Sequence, residues 1–197
     1  MLPTIPSLCA LLLASLVASH ASDLAVRTRM VQEGESAKPF TCLDLTYKDE
    51  RFTLVPPASW RMETDPSLSV LRFYSREGAG TIVISFSETP ASGVLATADS
   101  LRGNLGPDLA GAEIVAEFPA YAGAAAGKGV ELSFVLQGRA MRAHAAAVPL
   151  ARGHVSFVLT CNADKFKNAQ SAIGSLMSSF QRTQGAAPKI EVSRLAR

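Results

Sequence analysis

The chain has 197 residues, 48% of them hydrophobic and 18% charged, with a formal net charge of +2. That length suits one ordinary domain plus a leader and tails, and the balance of apolar and charged residues excludes a wholly disordered chain. No run of Lys and Arg is dense enough to make a phosphate track, so nucleic acid is not an expected partner.

Residues 1–21, MLPTIPSLCALLLASLVASHA, hold an apolar run from Leu8 to Val17 and no Asp, Glu, Lys or Arg. Ser19 and Ala21 are the small residues a signal peptidase inspects, so the pattern predicts a signal peptide cleaved near Ala21 and a periplasmic or secreted chain. An apolar run of about ten residues is too short to span a bilayer of about 30 Å, and no transmembrane segment is expected after cleavage. Cys9 falls inside the leader, leaving Cys42 and Cys161. An even pair in an oxidising compartment predicts a disulfide. Closing a loop of about 120 residues would restrict the unfolded chain by roughly 4 to 5 kcal/mol.

Residues 22–45 read as an extended N-terminal segment with little secondary structure, since Arg27, Arg29, Glu33, Glu35 and Lys38 interrupt any period. A first strand is predicted at Arg51–Val55, stopped by Pro56 and Pro57 ahead of Trp60, the single tryptophan and a core anchor by expectation. Strands follow at Val70–Ser75 and Thr81–Ser87, with Ile82, Ile84 and Phe86 sharing one face. The stripe Val94, Leu95, Ala98, Leu101 and Leu105 predicts one amphipathic middle helix, capped by Ser92. A further strand over Ala112–Phe118 is halted by Pro119.

The stretch Val130–Leu150 reads as a hairpin turning at Gly138-Arg139, so that Leu136 faces Met141, Phe134 faces Ala143 and Leu132 faces Ala145. Glu131, Ser133, Arg142 and His144 then share the opposite face. The last strand points Val155, Phe157, Leu159 and Cys161 inward, and the closing helix carries the stripe Phe166, Ala169, Ile173, Leu176, Met177 and Phe180. Residues 182–197 carry no core pattern and read as a mobile C-terminal tail.

Little in this pattern carries chemistry. His144 and His154 sit opposite residues about four places apart, roughly 13 Å along a strand, whereas zinc ligands must meet within about 4 Å. The run Gly123 to Gly129 is one residue short of a phosphate-binding loop and places Gly129 where that loop needs Ser or Thr. No nucleophile elbow is present, so no catalytic residue, metal or cofactor is expected. The outward residues Arg72, Arg76, Glu77, Arg139 and Arg142, with His144, make the candidate partner surface. The Met and Phe side chains either fill the core or line a cleft for an apolar ligand.

The segment from Tyr47 to Trp60, YKDERFTLVPPASW, resembles the aromatic strand ending in Pro and Trp of the PsbP-like fold. Thr81–Ser87, a helix before the middle of the chain, and Val155–Cys161 followed by Asp164–Phe180 extend the resemblance over residues 46–181. That family includes extrinsic photosystem subunits and bacterial envelope members such as DcrB and LpqN. The resemblance implies an α+β fold with a central antiparallel sheet of about six to seven strands, covered by a middle helix and a C-terminal helix. It also implies a non-catalytic envelope module that binds another envelope protein, or alternatively a lipid or other apolar ligand between sheet and helices. It carries no functional residue with it.

Overall fold

The computed structural model describes residues 23–32, 38–78 and 80–183. The predicted leader, and the tail beyond Thr183, lie outside the described residues. Two antiparallel sheets organise the chain. The smaller is built from β1 (Leu24–Val31), β2 (Phe40–Tyr47), β3 (Glu50–Leu54) and β11 (Gln181–Thr183), in the order β1-β2-β3-β11. The larger contains β4 (Trp60–Asp65), β5 (Val70–Ser75), β6 (Thr81–Ser87), β7 (Glu113–Ala122), β8 (Ala125–Leu136), β9 (Arg139–Pro149) and β10 (His154–Asn162). Its order, β4-β5-β6-β10-β9-β8-β7, inserts β10 at the centre, between β6 and β9. This is the expected α+β architecture with a seven-stranded antiparallel sheet.

Both faces of the larger sheet are covered. On one, α4 (Phe166–Ser179) and the smaller sheet enclose the main core, in which Ile82, Ile84, Phe86, Val155, Phe157, Leu159 and Cys161 meet Leu43, Leu45, Phe52, Ile173 and Leu176. On the other, three short helices, α1 (Ala91–Val94), α2 (Ala98–Asn104) and α3 (Pro107–Ala110), close a second core over Val130, Leu132, Ala143, Ala145 and Ala147. The inward residues read from sequence are therefore divided between two layers. Period-2 alternation marks a face but not which face two strands share. Among the described residues no helix is long and apolar enough to cross a membrane.

The structure departs from the sequence reading at five places. Residues 24–31 form a strand, and Leu24 joins the main core, so the N-terminal segment is part of the packed structure. The middle helix is broken rather than continuous: Thr97, not Ser92, caps α2 by accepting the Ser100 N–H at 3.0 Å. A hydroxyl there competes for the amide that a continuous helix would use. β7 runs through Pro119, which is tolerated because β7 is an edge strand and can lose a ladder N–H. The β8–β9 turn is Gln137-Gly138, both at positive φ, so Phe134 pairs with Met141 and Leu132 with Ala143. A two-residue slip keeps every side chain on its predicted face, and positive φ at both centres is what a tight hairpin requires.

The fifth departure is the disulfide. Cys42 and Cys161 are both free and buried. On β2, Leu43, Leu45 and Tyr47 enter the main core and Cys42 has the opposite parity, whereas Cys161 points into that core. The Cys42 side chain thus leaves β2 on the face away from that core, and no bond joins the two thiols. Burial pushes the Cys161 thiol up to about 11. Native protein at pH 8 is therefore expected to react with a thiol reagent far more slowly than protein in denaturant, where both thiols titrate. Stoichiometric quenching of both by reagent in the native state would contradict this burial.

Candidate functional site

Beneath α4, the strands β7, β8 and β9 bring together a buried polar cluster. Glu131 and His144 are direct cross-strand partners, and Arg142 lies two residues along β9 on the same face. The Arg142 guanidinium donates to Glu131 Oε2 at 2.8 Å, and Gln170, from α4, donates to Glu131 Oε1 at 3.0 Å. The side chains of Glu131, Arg142 and His144 are only 20%, 27% and 13% exposed. Charge-assisted bonds at these distances hold α4 to the sheet with more strength than surface pairs do. Arg142 also lies over the Phe166 ring, 4.9 Å from its centroid.

His144 completes the cluster by stacking. Its ring lies 4.4 Å from that of Phe118, with planes 19° apart. Phe118 reaches it because β8 carries Gly129 underneath, where any Cβ would fall 2.1 Å from the Phe118 ring. His144 Nδ1 has no hydrogen-bond partner and stands 3.8 Å from Glu131 Oε1, too far for a bond. Burial lowers its proton affinity more than Glu131 raises it, so the folded state favours the neutral ring. Because the unfolded chain holds the proton more tightly, stability is expected to fall as pH drops below about 6.5 toward the lower folded value. The variant His144→Phe should flatten this slope in urea titrations between about pH 7 and pH 5; a slope unchanged by the substitution would discount His144 as its source.

A second feature is a cleft of about 530 Å³ where the two sheets meet the end of α4. Phe52, Ala122, Ala125, Leu150 and Phe180 supply apolar walls, and Glu50 and Arg182 stand at its mouth. Glu50 accepts the Ala151 N–H at 3.1 Å through Oε1 and pairs with Arg182 at 3.2 Å through Oε2. The cleft draws on β3, the β7–β8 turn, the end of β9 and the start of β11, so no single stretch of sequence announces it.

The expected partner surface is distributed over the molecule. Arg142 and His144 lie together under α4. Arg72, on β5, points away from the core residues Leu71 and Phe73 and lies 3.7 Å from Asp65. Arg76 is exposed in the β5–β6 turn, and Arg139 is exposed at the tip of the β8–β9 hairpin. His154 faces away from His144, its Nδ1 2.9 Å from the Thr89 carbonyl oxygen. Of the cluster, sequence reasoning had grouped Glu131, Arg142 and His144 on one face. Gln170 went unnoticed, although its place four residues after Phe166 puts it on the packed side of α4.

No family model matches the chain, and no curated protein does. Solved structures do. The solution structure of the cyanobacterial PsbP, CyanoP, from Synechocystis sp. PCC 6803 has a TM-score of 0.52 at 14% identity, covering 87% of this chain and 99% of that one. LpqN, involved in cell envelope biogenesis of Mycobacterium tuberculosis, has a TM-score of 0.51 at 15% identity, covering 81% and 92%. A structure from Bacteroides thetaiotaomicron gives 0.47 at 15% identity, and the chain spans 45% of its length. At such low identity the likeness speaks for architecture alone. The two-sheet arrangement, with β10 central and α4 closing the core, is a PsbP-like fold.

Proposed function

We propose that the chain is an exported, non-catalytic accessory module of the bacterial envelope that works by binding another envelope protein. The observation that carries this reading is how the ionic cluster beneath α4 uses its groups. Glu131 accepts from Arg142 through one oxygen and from Gln170 through the other, so its carboxylate ties α4 to the sheet, a structural use of the charge that supports an accessory module. The similarity to LpqN, involved in cell envelope biogenesis, supports the compartment, as does the leader-like start of the sequence. Cross-linking in intact cells followed by purification is expected to return the same envelope protein repeatedly. A chain recovered alone from every preparation, or from the cytosol, would defeat the proposal.

The cleft favours a second reading, a carrier for a lipid or other apolar ligand. Its walls are apolar and its volume lies within the range of small-molecule sites. It opens between the two sheets and the end of α4. Native mass spectrometry of gently purified protein should then show added mass, lost in an Ala124→Trp variant that obstructs the mouth. Parent protein that shows only its own bare polypeptide mass would remove the carrier reading.

A further inference from the structure

The β8–β9 hairpin outruns its neighbours. β7 begins opposite Ser133, where Glu113 pairs, and β10 ends opposite Met141, where Asn162 pairs. The segment Val135 to Ala140 therefore projects alone, by two residue pairs and a turn, and all six of its residues are exposed. At strand rise this is roughly 7 to 10 Å of finger. Its side chains are not those of an ordinary solvated tip: Val135 is 72% exposed and Leu136 45% exposed, one on each face of the ribbon. Together they put aliphatic surface on both faces of the fingertip, available for contact.

The charge around the finger selects the partner. From Leu132 to Ala163 the sequence contains no acidic residue, and Arg139 stands beside the turn, whereas Arg142, three pairs nearer the body, is held by Glu131. At the finger's base the flanking strands bring Glu113, opposite Ser133, and Asp164, two residues beyond the Asn162 that pairs with Met141 and followed by Lys165. An apolar tip with a cation at its shoulder matches the boundary between acyl chains and anionic headgroups, and the projection equals the depth at which interfacial elements sit, about 5 to 10 Å. The Gln137-Gly138 turn, with φ of 51° and 75°, gives a narrow two-residue end that can enter without unpairing the strands behind it.

The geometry points to the β8–β9 fingertip as a membrane contact: Val135 and Leu136 enter the interface of an anionic bilayer while Arg139 meets its phosphates. This is independent of the cleft and of the protein-binding reading, since it concerns where the module sits rather than what it binds there. The test compares the exported chain with V135S/L136S and R139Q variants by co-sedimentation with vesicles, either pure phosphatidylcholine or a mixture with phosphatidylglycerol. Because all three sites are exposed, melting curves should coincide. The parent is expected to bind the anionic vesicles. V135S/L136S should lose binding at least about tenfold, the worth of one buried aliphatic side chain. R139Q should lose the preference for anionic vesicles, and a polarity-sensitive dye on Q137C should shift to the blue only when vesicles are present. A parent that ignores both vesicles, or a V135S/L136S variant that binds as well as the parent, overturns the proposal. Loss of a protein cross-link in V135S/L136S without any vesicle binding by the parent would likewise overturn it, assigning the finger to a protein groove.

Discussion

Truncating Phe52 to alanine is expected to cost about 3 to 5 kcal/mol of folding stability. Phe52 is 1% exposed and sits where both sheets and α4 converge. Its ring stacks on Phe180 at 5.0 Å and tilts against Phe86 at 5.8 Å. Phe180 in turn meets Phe157 edge-on at 5.3 Å. Alanine would remove one ring from a chain of four, and strands fixed on either side cannot collapse to fill the space. Equilibrium urea titration gives the number. Because the main core draws residues from both sheets, Trp60 fluorescence and far-ultraviolet dichroism should report one coincident transition in parent and variant. Two separated transitions would show that the smaller sheet folds apart from the larger, and a loss below about 1 kcal/mol would show that Phe52 does not bridge them.

This junction also shows what was legible in the sequence. The strands Val70–Ser75 and Thr81–Ser87 were read to the residue, because short alternating runs bounded by turn residues carry a local signal. The helix over Phe166 to Ser179 was equally plain from its stripe. By contrast β1 reads as LAVRTRMV, with five of its eight residues exposed, and an edge strand of that kind leaves almost no periodic trace. Its neighbour β2 supplies the apolar residues, and only pairing reveals β1 as a strand. The thiols failed for a similar reason. Counting cysteines says nothing about parity, and parity sets Cys42 on the far side of a sheet from Cys161. For the polar cluster, strand alternation placed Glu131, Arg142 and His144 together. That the face lies beneath a helix is a tertiary fact, invisible until α4 is docked and Gln170 meets Glu131.

The cluster is the place to ask whether polar groups under α4 stabilise the fold or merely tolerate burial. Removing Glu131 with Glu131→Ala should cost about 2 to 3 kcal/mol, somewhat below the range for fully buried pairs because both partners keep some exposure. The loss has two parts: Gln170 gives up its link to the sheet, and Arg142 is left charged with its carboxylate gone. Arg142 Nε already lacks a hydrogen bond, so it has no spare contact to compensate. Arg142→Met keeps volume over Phe166 and should cost less, while leaving Glu131 the only charge facing His144 on its own side of the sheet's hairpin. His144 should then hold its proton more readily, and the acid-induced loss of stability should shrink. The double variant Glu131→Ala/Arg142→Met removes both charges and should be no less stable than Glu131→Ala alone, a coupling of about 1 to 3 kcal/mol across the cycle. Urea titrations of the four proteins at one pH measure it. If the double variant instead lost the sum of the two single effects, the ion pair would be a bystander, and the hold on α4 would rest on its apolar face.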